Sequence, residues 1–356
     1  MKIKNFSYAT LLFKHRRKKG LMINPKHSLK NAILVSLFLL FALNFSACDN
    51  GFSPRAEFKP GFVLFAITEG QEIGYTFVPK VYLAKVYDAP GTDPYLNTED
   101  PEVMGAQIYI KFRGDEYKLK DTLVNRKDSS HYSGKQRYYY GAPLPVYAND
   151  SLSIVARMPN GTVLSSGTKV PQYLDYESSI PFPRGFTTDV DVFKFGKNWE
   201  FYWRSKEIDL CFPKMTIYYT QLINNREVAK TIEVPLRVID RNGVPTPLYP
   251  VANRDDKISY ELASFDWAMN KISEGVAEKS DFRILHVIFT VTEYDAPLSF
   301  YYSSVNGFLD NFSLRLDEPV FTNINGGYGL FGSYFTTKHQ EEFDQRYVQK
   351  FGYRIK

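Results

Sequence analysis

Cysteine is almost missing from this sequence: Cys48 and Cys211 are the two that occur in 356 residues. That excludes a disulfide-stapled scaffold, and a chain of this length needs none, since two cores of about 100 to 150 residues each can bury enough apolar surface. Cys211 lies in the strand-like run Asp209-Leu210-Cys211-Phe212 and reads as a small buried apolar residue. Histidine is also scarce. Beyond residue 47 it occurs at His131, His286 and His339, none at metal-ligand spacing from another His, Cys or carboxylate, so no metal is expected. His286 falls mid-strand in Ile284 to Ile288 and reads as a packed residue. No Gly-x-Ser-x-Gly, His-Glu-x-x-His or phosphate-loop lysine occurs, so no catalytic residue and no cofactor are expected. The adjacent pairs Glu341-Glu342 and Asp255-Asp256 fit a solvated surface. A glycosidase pair stays open, because its two carboxyl groups would be distant in sequence.

Acidic residues are missing from one region. Residues 1–47 hold nine Lys/Arg and no Asp or Glu; without them 35 basic residues face 39 acidic ones, a net of −4. The whole-chain charge of +5 therefore belongs to the leading segment, and the basic footprint of a nucleic-acid binder is absent from the rest. With 44% hydrophobic and 23% charged residues, the composition is that of a globular protein.

Within that leading segment Ala32 to Leu43 is apolar throughout, follows Lys26 and Lys30, and ends in Asn44-Phe45-Ser46-Ala47-Cys48. Basic region, apolar region and small-residue cleavage site occur in the order of an export signal. The apolar run is shorter than the roughly 20 residues a membrane span needs, and it closes on Asp49-Asn50-Gly51 without a stop-transfer flank. A cysteine directly after two small residues resembles the lipobox of bacterial lipoproteins, although Phe45 replaces the usual Leu or Val. The resemblance implies cleavage between Ala47 and Cys48 and acylation of the Cys48 thiol. Each buried CH2 contributes about 0.8 kcal/mol, so two or more chains hold the protein durably on a membrane. Met22 is an alternative start that leaves a signal of about 26 residues, an ordinary length.

Residues 48–60 are polar and proline-punctuated and read as a tether. From Phe62 the pattern has period two: Ala106, Ile108, Ile110 and Phe112 alternate with Gln107, Tyr109 and Lys111. Ser151 to Arg157 and Thr162 to Ser165 flank Pro159-Asn160-Gly161, a hairpin signal because Asn-Gly accepts positive φ. Residues 61–173 are thus expected to form an Ig-like β-sandwich. The Pro/Ser-rich stretch Ser178 to Gly185 marks a boundary, and residues 174–340 are expected to form a second β-rich domain. Its strands are placed at Trp199 to Trp203, Met215 to Leu222, Ile232 to Ile239, Phe282 to Thr292 and Leu298 to Ser303. One amphipathic helix is expected over 257–274, from Ile258, Leu262, Phe265, Met269 and Ile272, with Trp267 also packed in the core. Residues 341–356 read as a polar tail. The fold class expected is mainly β, with two antiparallel sandwich-like domains.

The densest motif runs from Asn323 to Tyr334, with Asn325-Gly326 as a turn and Gly327, Gly329 and Gly332 clearing side chains from one stretch of backbone. Such clearance admits another chain segment or a ligand, and a hairpin or edge strand closing the second domain is favoured over a binding loop. With the lipobox and the Ig-like region from Gly105 to Asn160-Gly161, this Asn-Ile-x-Gly-Gly-x-Gly-x-Phe-Gly pattern resembles a family of uncharacterised Bacteroidota lipoproteins. The resemblance implies a cell-envelope location at the outer membrane and association with TonB-dependent receptors, and it supplies no catalytic residues. Asp121-Thr122-Leu123 and Asp150-Ser151-Leu152 resemble the sequon on which such bacteria O-glycosylate exported proteins, at Thr122 and Ser151.

Aromatic residues reach 16%, in runs such as Tyr138-Tyr139-Tyr140, Tyr218-Tyr219 and Tyr301-Tyr302. Strand alternation sends neighbours to opposite faces, so each run offers a ring to solvent, suited to stacking on a sugar or peptide or simply to β structure. The expected function is that of a non-enzymatic, lipid-anchored binding protein beside an outer-membrane uptake receptor. A fimbrillin-like structural subunit and a glycan-acting hydrolase are the alternatives.

Overall fold

Alternating burial governs most of the chain. A computed structural model describes residues 60–86, 101–126, 134–179, 187–189, 196–204, 210–305 and 321–354, all within the compact unit Lys59–Lys356. The signal, Met22, Ala47, Cys48, the tether up to residue 59, His131, and the Ile180 to Gly185 part of the expected boundary lie outside these residues.

In the first half the strands are β1 (Phe62–Gly70), β2 (Lys80–Lys85), β3 (Gln107–Phe112), β4 (Asp115–Lys118), β5 (Lys120–Asn125), β6 (Lys135–Tyr140), β7 (Ser151–Arg157) and β8 (Val163–Lys169). The second half supplies β9 (Asp175–Ser178), β10 (Asn198–Arg204), β11 (Cys211–Ile223), β12 (Arg226–Glu233), β13 (Arg237–Arg241), β14 (Val244–Leu248) and β15 (Lys257–Glu261). Helix α1 (Leu262–Ile272), β16 (Phe282–Tyr294), α2 (Ala296–Val305), β17 (Tyr328–Glu341) and α3 (Gln345–Lys350) complete it. The fold is mainly β, built of antiparallel sheets packed as sandwiches, with few helices.

One eight-stranded sheet, ordered β12-β11-β16-β17-β1-β2-β6-β5, serves both halves. Every pairing in it is antiparallel except β1 with β17, which is parallel from Val63↔Tyr328 to Gly70↔Phe335. Leu64, Val81 and Leu83 on its inner face join Ile108, Ile110, Leu152, Ile154 and Leu164 of the sheet β4-β3-β7-β8 in a first core. Met215, Ile217, Val287 and Phe289 join Trp199, Phe201 and Tyr260 of the sheet β15-β10-β9, with Phe265 and Met269 of α1, in a second. Each fully buried Leu, Ile or Phe contributes about 1.5 to 3 kcal/mol. The core changes near the expected boundary at residue 173, but the sheet does not stop there: Ile324, Phe331 and Phe335 return to the first core.

Four local expectations are corrected. The helix expected over 257–274 begins at Leu262, because Ile258 and Tyr260 alternate inward on β15, with Ile258 opposite Phe201. Leu298 to Ser303, expected as a strand, lies in α2; Asp295 caps it, its Oδ1 accepting from Leu298 N at 2.9 Å, and Pro297 suits a first turn. Ile232 to Ile239 is divided between β12 and β13. The expected polar tail is core: Phe343, Tyr347, Val348 and Tyr353 are buried in the second cluster, and Asp344 caps α3 by accepting from Arg346 N at 2.8 Å.

Candidate functional site

The glycine motif turns out to stitch chain to chain. Asn325 exchanges backbone hydrogen bonds with Ser165 of β8, at 2.8 and 3.1 Å. The Asn323 amide imitates a strand, donating to Phe331 O at 2.7 Å and accepting from Phe331 N at 2.9 Å. A Cβ on Gly326 would stand 2.4 Å from Val163 O, one on Gly327 2.7 Å from Phe62 O, and one on Gly329 2.0 Å from Leu64 O. At Gly332 the nearest atoms, Asp295 Oδ1 and Leu298 Cβ, are 3.1 Å away. The cleared backbone therefore admits neighbouring strands and α2, and β17 runs between β16 and β1 in the sheet interior rather than as a hairpin or edge.

The outer face of the large sheet is different. Phe65 and Tyr82 are paired neighbours, 39% and 41% exposed, although both are large aromatics. Tyr82 and Tyr138 have ring centroids 6.0 Å apart, Tyr138 and Tyr140 6.2 Å, and Phe65 meets Tyr301 of α2 edge-on at 6.2 Å. Of the expected tyrosine runs, Tyr138 and Tyr140 thus point outward while Tyr139 is buried and donates to Val103 O at 2.9 Å. Tyr219 is buried likewise, and Tyr218 stacks on His286 at 4.9 Å. Thr122 is half-buried on β5 opposite Tyr138. A groove of about 380 Å³ borders the row, lined by Val63, Phe65, Tyr82, Lys85, Glu102 and Arg137 among others. Rings half in water keep an apolar face available for a second surface, which single exposed side chains do not.

A second depression, about 570 Å³, opens between β7, β8 and the end of β16, and Ser151, Lys169, Glu293 and Asp295 line it. Ser151 is exposed there, whereas both carboxyl residues are buried. Glu293 and Asp295 sit two positions apart, not far apart in sequence as a glycosidase pair was expected to be. The Asp295 carboxyl is fully engaged: Oδ1 caps α2, and Oδ2 accepts from Thr168 Oγ1 and, at 3.2 Å, from Ser333 Oγ. Burial pushes its pKa above the ordinary aspartate value, with those hydrogen bonds pulling it part of the way back. The result ties β8, β17 and α2 together.

Elsewhere, His339 Nε2 lies 2.5 Å from Glu341 Oε1, with the Tyr176 ring 4.6 Å from the imidazole. Burial lowers the histidine and raises the glutamate, so desolvation favours the neutral form of each. Cys211 is buried at the start of β11, and Asp255 and Asp256 are exposed. Among the described residues no group of three His, Cys, Asp or Glu is placed to hold a metal ion, and no helix is long and apolar enough to cross a membrane. Comparison of the chain with protein-family models and with curated proteins gave no match, so its own residues carry the functional reading.

Proposed function

We propose that this chain is a lipid-anchored protein of the bacterial cell envelope that binds a partner or ligand beside an outer-membrane uptake receptor and performs no catalysis itself. The supporting observation is the row of exposed Phe65, Tyr82 and Tyr140 with half-buried Tyr138 among them, on the outer face of the eight-stranded sheet. The pattern Ser46-Ala47-Cys48 supports the anchor, and the resemblance to Bacteroidota lipoproteins supports a TonB-dependent receptor as partner. Acylation would hold the unit Lys59–Lys356 at a membrane on a tether.

Two observations weigh on the alternatives. A fimbrillin-like subunit would lose its first strand on processing, yet β1 stands between β17 and β2 and carries fully buried Leu64. A hydrolase needs a carboxyl group at liberty to move a proton, and the Asp295 carboxyl already accepts three hydrogen bonds. The experiment is affinity purification from native membranes, comparing wild type with a Phe65→Ser/Tyr82→Ser variant that keeps the wild-type circular dichroism. A receptor retained by wild type and lost by the variant is expected. Equal recovery with both, or none with either, contradicts the reading.

A further inference from the structure

The eight-stranded sheet starts, among the described residues, at a strand with a neighbour on one side only. That strand is β12, at the opposite end from β6 and β5, so its open edge is separate from the aromatic row. A two-residue turn, Asn224-Asn225 with φ of 51° and 59°, folds β11 back into β12 and makes Ile223 and Arg226 a hydrogen-bonded pair. From there alternate residues bond to β11, and the set closes on Val234, whose N–H donates to Met215 O at 2.9 Å. The N–H and C=O groups of Glu227, Ala229 and Thr231 in between face away from the sheet, and all three residues are exposed. Two other edges are closed. On β14 the outward positions are Pro245 and Pro247, which have no N–H, and β8 is bonded through Ser165 to Asn325.

Side chains sort the possible occupants of this edge. Arg226, Val228, Lys230 and Ile232 share the core-side face, since Tyr219 and Ile217, the partners of Lys230 and Ile232, are buried in the second core. The rim thus alternates cation and apolar group: Arg226 is exposed, Lys230 donates to the neutral amide of Gln221 at 2.6 Å, and Val228 is 39% exposed. Glu227 and Glu233 fall on the opposite face, where Arg283 holds the first at 2.6 Å and Lys214 the second at 3.2 Å. We propose that β12 is extended by a segment of a partner protein, laid antiparallel, in which acidic and apolar residues take alternate positions on one face. The outward backbone groups supply the ladder, and opposite charges directly across two strands stabilise it where like charges destabilise it. A second copy of the chain meets the unfavourable case. Outward residues pair only with outward residues, so a twofold register centres on a residue. Centred on Lys230 it sets lysine on lysine and Glu227 on Glu233; centred on Ala229 or Thr231 it sets Lys230 against Val228 or Ile232. The cations that keep copies apart select an acidic strand.

The probe is a fluorescently labelled synthetic peptide, Val-Thr-Glu-Thr-Val-Thr-Glu, whose valines and glutamates meet Ile232, Lys230, Val228 and Arg226 in turn; its control carries lysine in place of both glutamates. Anisotropy titration with the full-length protein should show saturable binding, at least about tenfold tighter for the glutamate peptide. Arg226→Glu combined with Lys230→Glu should reverse that preference. Ala229→Pro should weaken binding by about tenfold or more with circular dichroism near wild type, because the N–H it removes faces away from β11. Equal affinity for the two peptides, no saturable binding of the glutamate peptide, or unchanged binding by a folded Ala229→Pro variant would each overturn the proposal. So would a concentration-dependent dimer abolished by Ala229→Pro, which would put a second copy on the edge. The wild-type comparison and the charge reversal decide the matter even where the proline variant fails to fold.

Discussion

At Gly329 the backbone has φ +113° and Leu64 O sits 2.0 Å from where a Cβ would stand. Conformation and space both demand glycine, so Gly329→Ala should cost about 3 kcal/mol or more, read as a lower urea midpoint with an unchanged slope. Asp295 makes a prediction of opposite kind. Its folded pKa is raised, so its protonated form is favoured by folding; the associated stability is complete below the ordinary aspartate value near 3.8 and is lost as pH rises through the folded value. Asp295→Asn should remove that falling segment from the stability-versus-pH curve. It should also destabilise by about 1 to 3 kcal/mol, because an amide has one oxygen to accept where the carboxylate uses two. An unchanged pH curve in the variant would contradict the assignment. Gly329 stood out in sequence by its motif, whereas Asp295 did not: the run from Leu298 read as a strand, so no helix was there for it to cap.

Among elements, those with local signals were readable. The alternation of Gln107 to Phe112 and the Asn-Gly turn before β8 appear where the residue pattern put them. Elements whose partners are distant were not. The spacing of four from Ile258 to Leu262 fits a helix and a strand alike, and pairing of Ile258 with Phe201, invisible in the sequence, decides for the strand. At the C-terminus, Phe343, Tyr347 and Tyr353 are spread among Glu, Gln, Arg and Lys, which hides a short helix that docks on the second core. Tyr347 donates to Asp266 Oδ1 at 2.8 Å, and burial pushes its pKa far above the ordinary tyrosine value. Tyr347→Ala should therefore cost about 3 to 5 kcal/mol, whereas Tyr75→Ala, at a 64% exposed site, should change stability by about 0.5 kcal/mol or less. Equal, small effects in denaturant titrations of the two would return residues 341–356 to a mere tail.

For the whole molecule, the sharing of one sheet by two cores is the main departure from two separate domains. β17 spans both, with Phe331 and Phe335 in the first core and Thr337 Oγ1 accepting from Leu174 N at 3.1 Å beside the second. Neither core keeps its sheet if the other unfolds, so scanning calorimetry should show one transition rather than two. The outer face of that sheet, which holds the aromatic row, could be foreseen from sequence only as tyrosines bound to point somewhere; the long-range register aligned them. The work at a membrane proposed for this face depends on the proposed anchor. The most direct measurement is the mass of the N-terminal peptide of protein extracted from its native membrane: the account predicts a chain beginning at Cys48 with a diacylglyceryl thioether and an acylated amine. A membrane-held protein with an unmodified Cys48 thiol would contradict it.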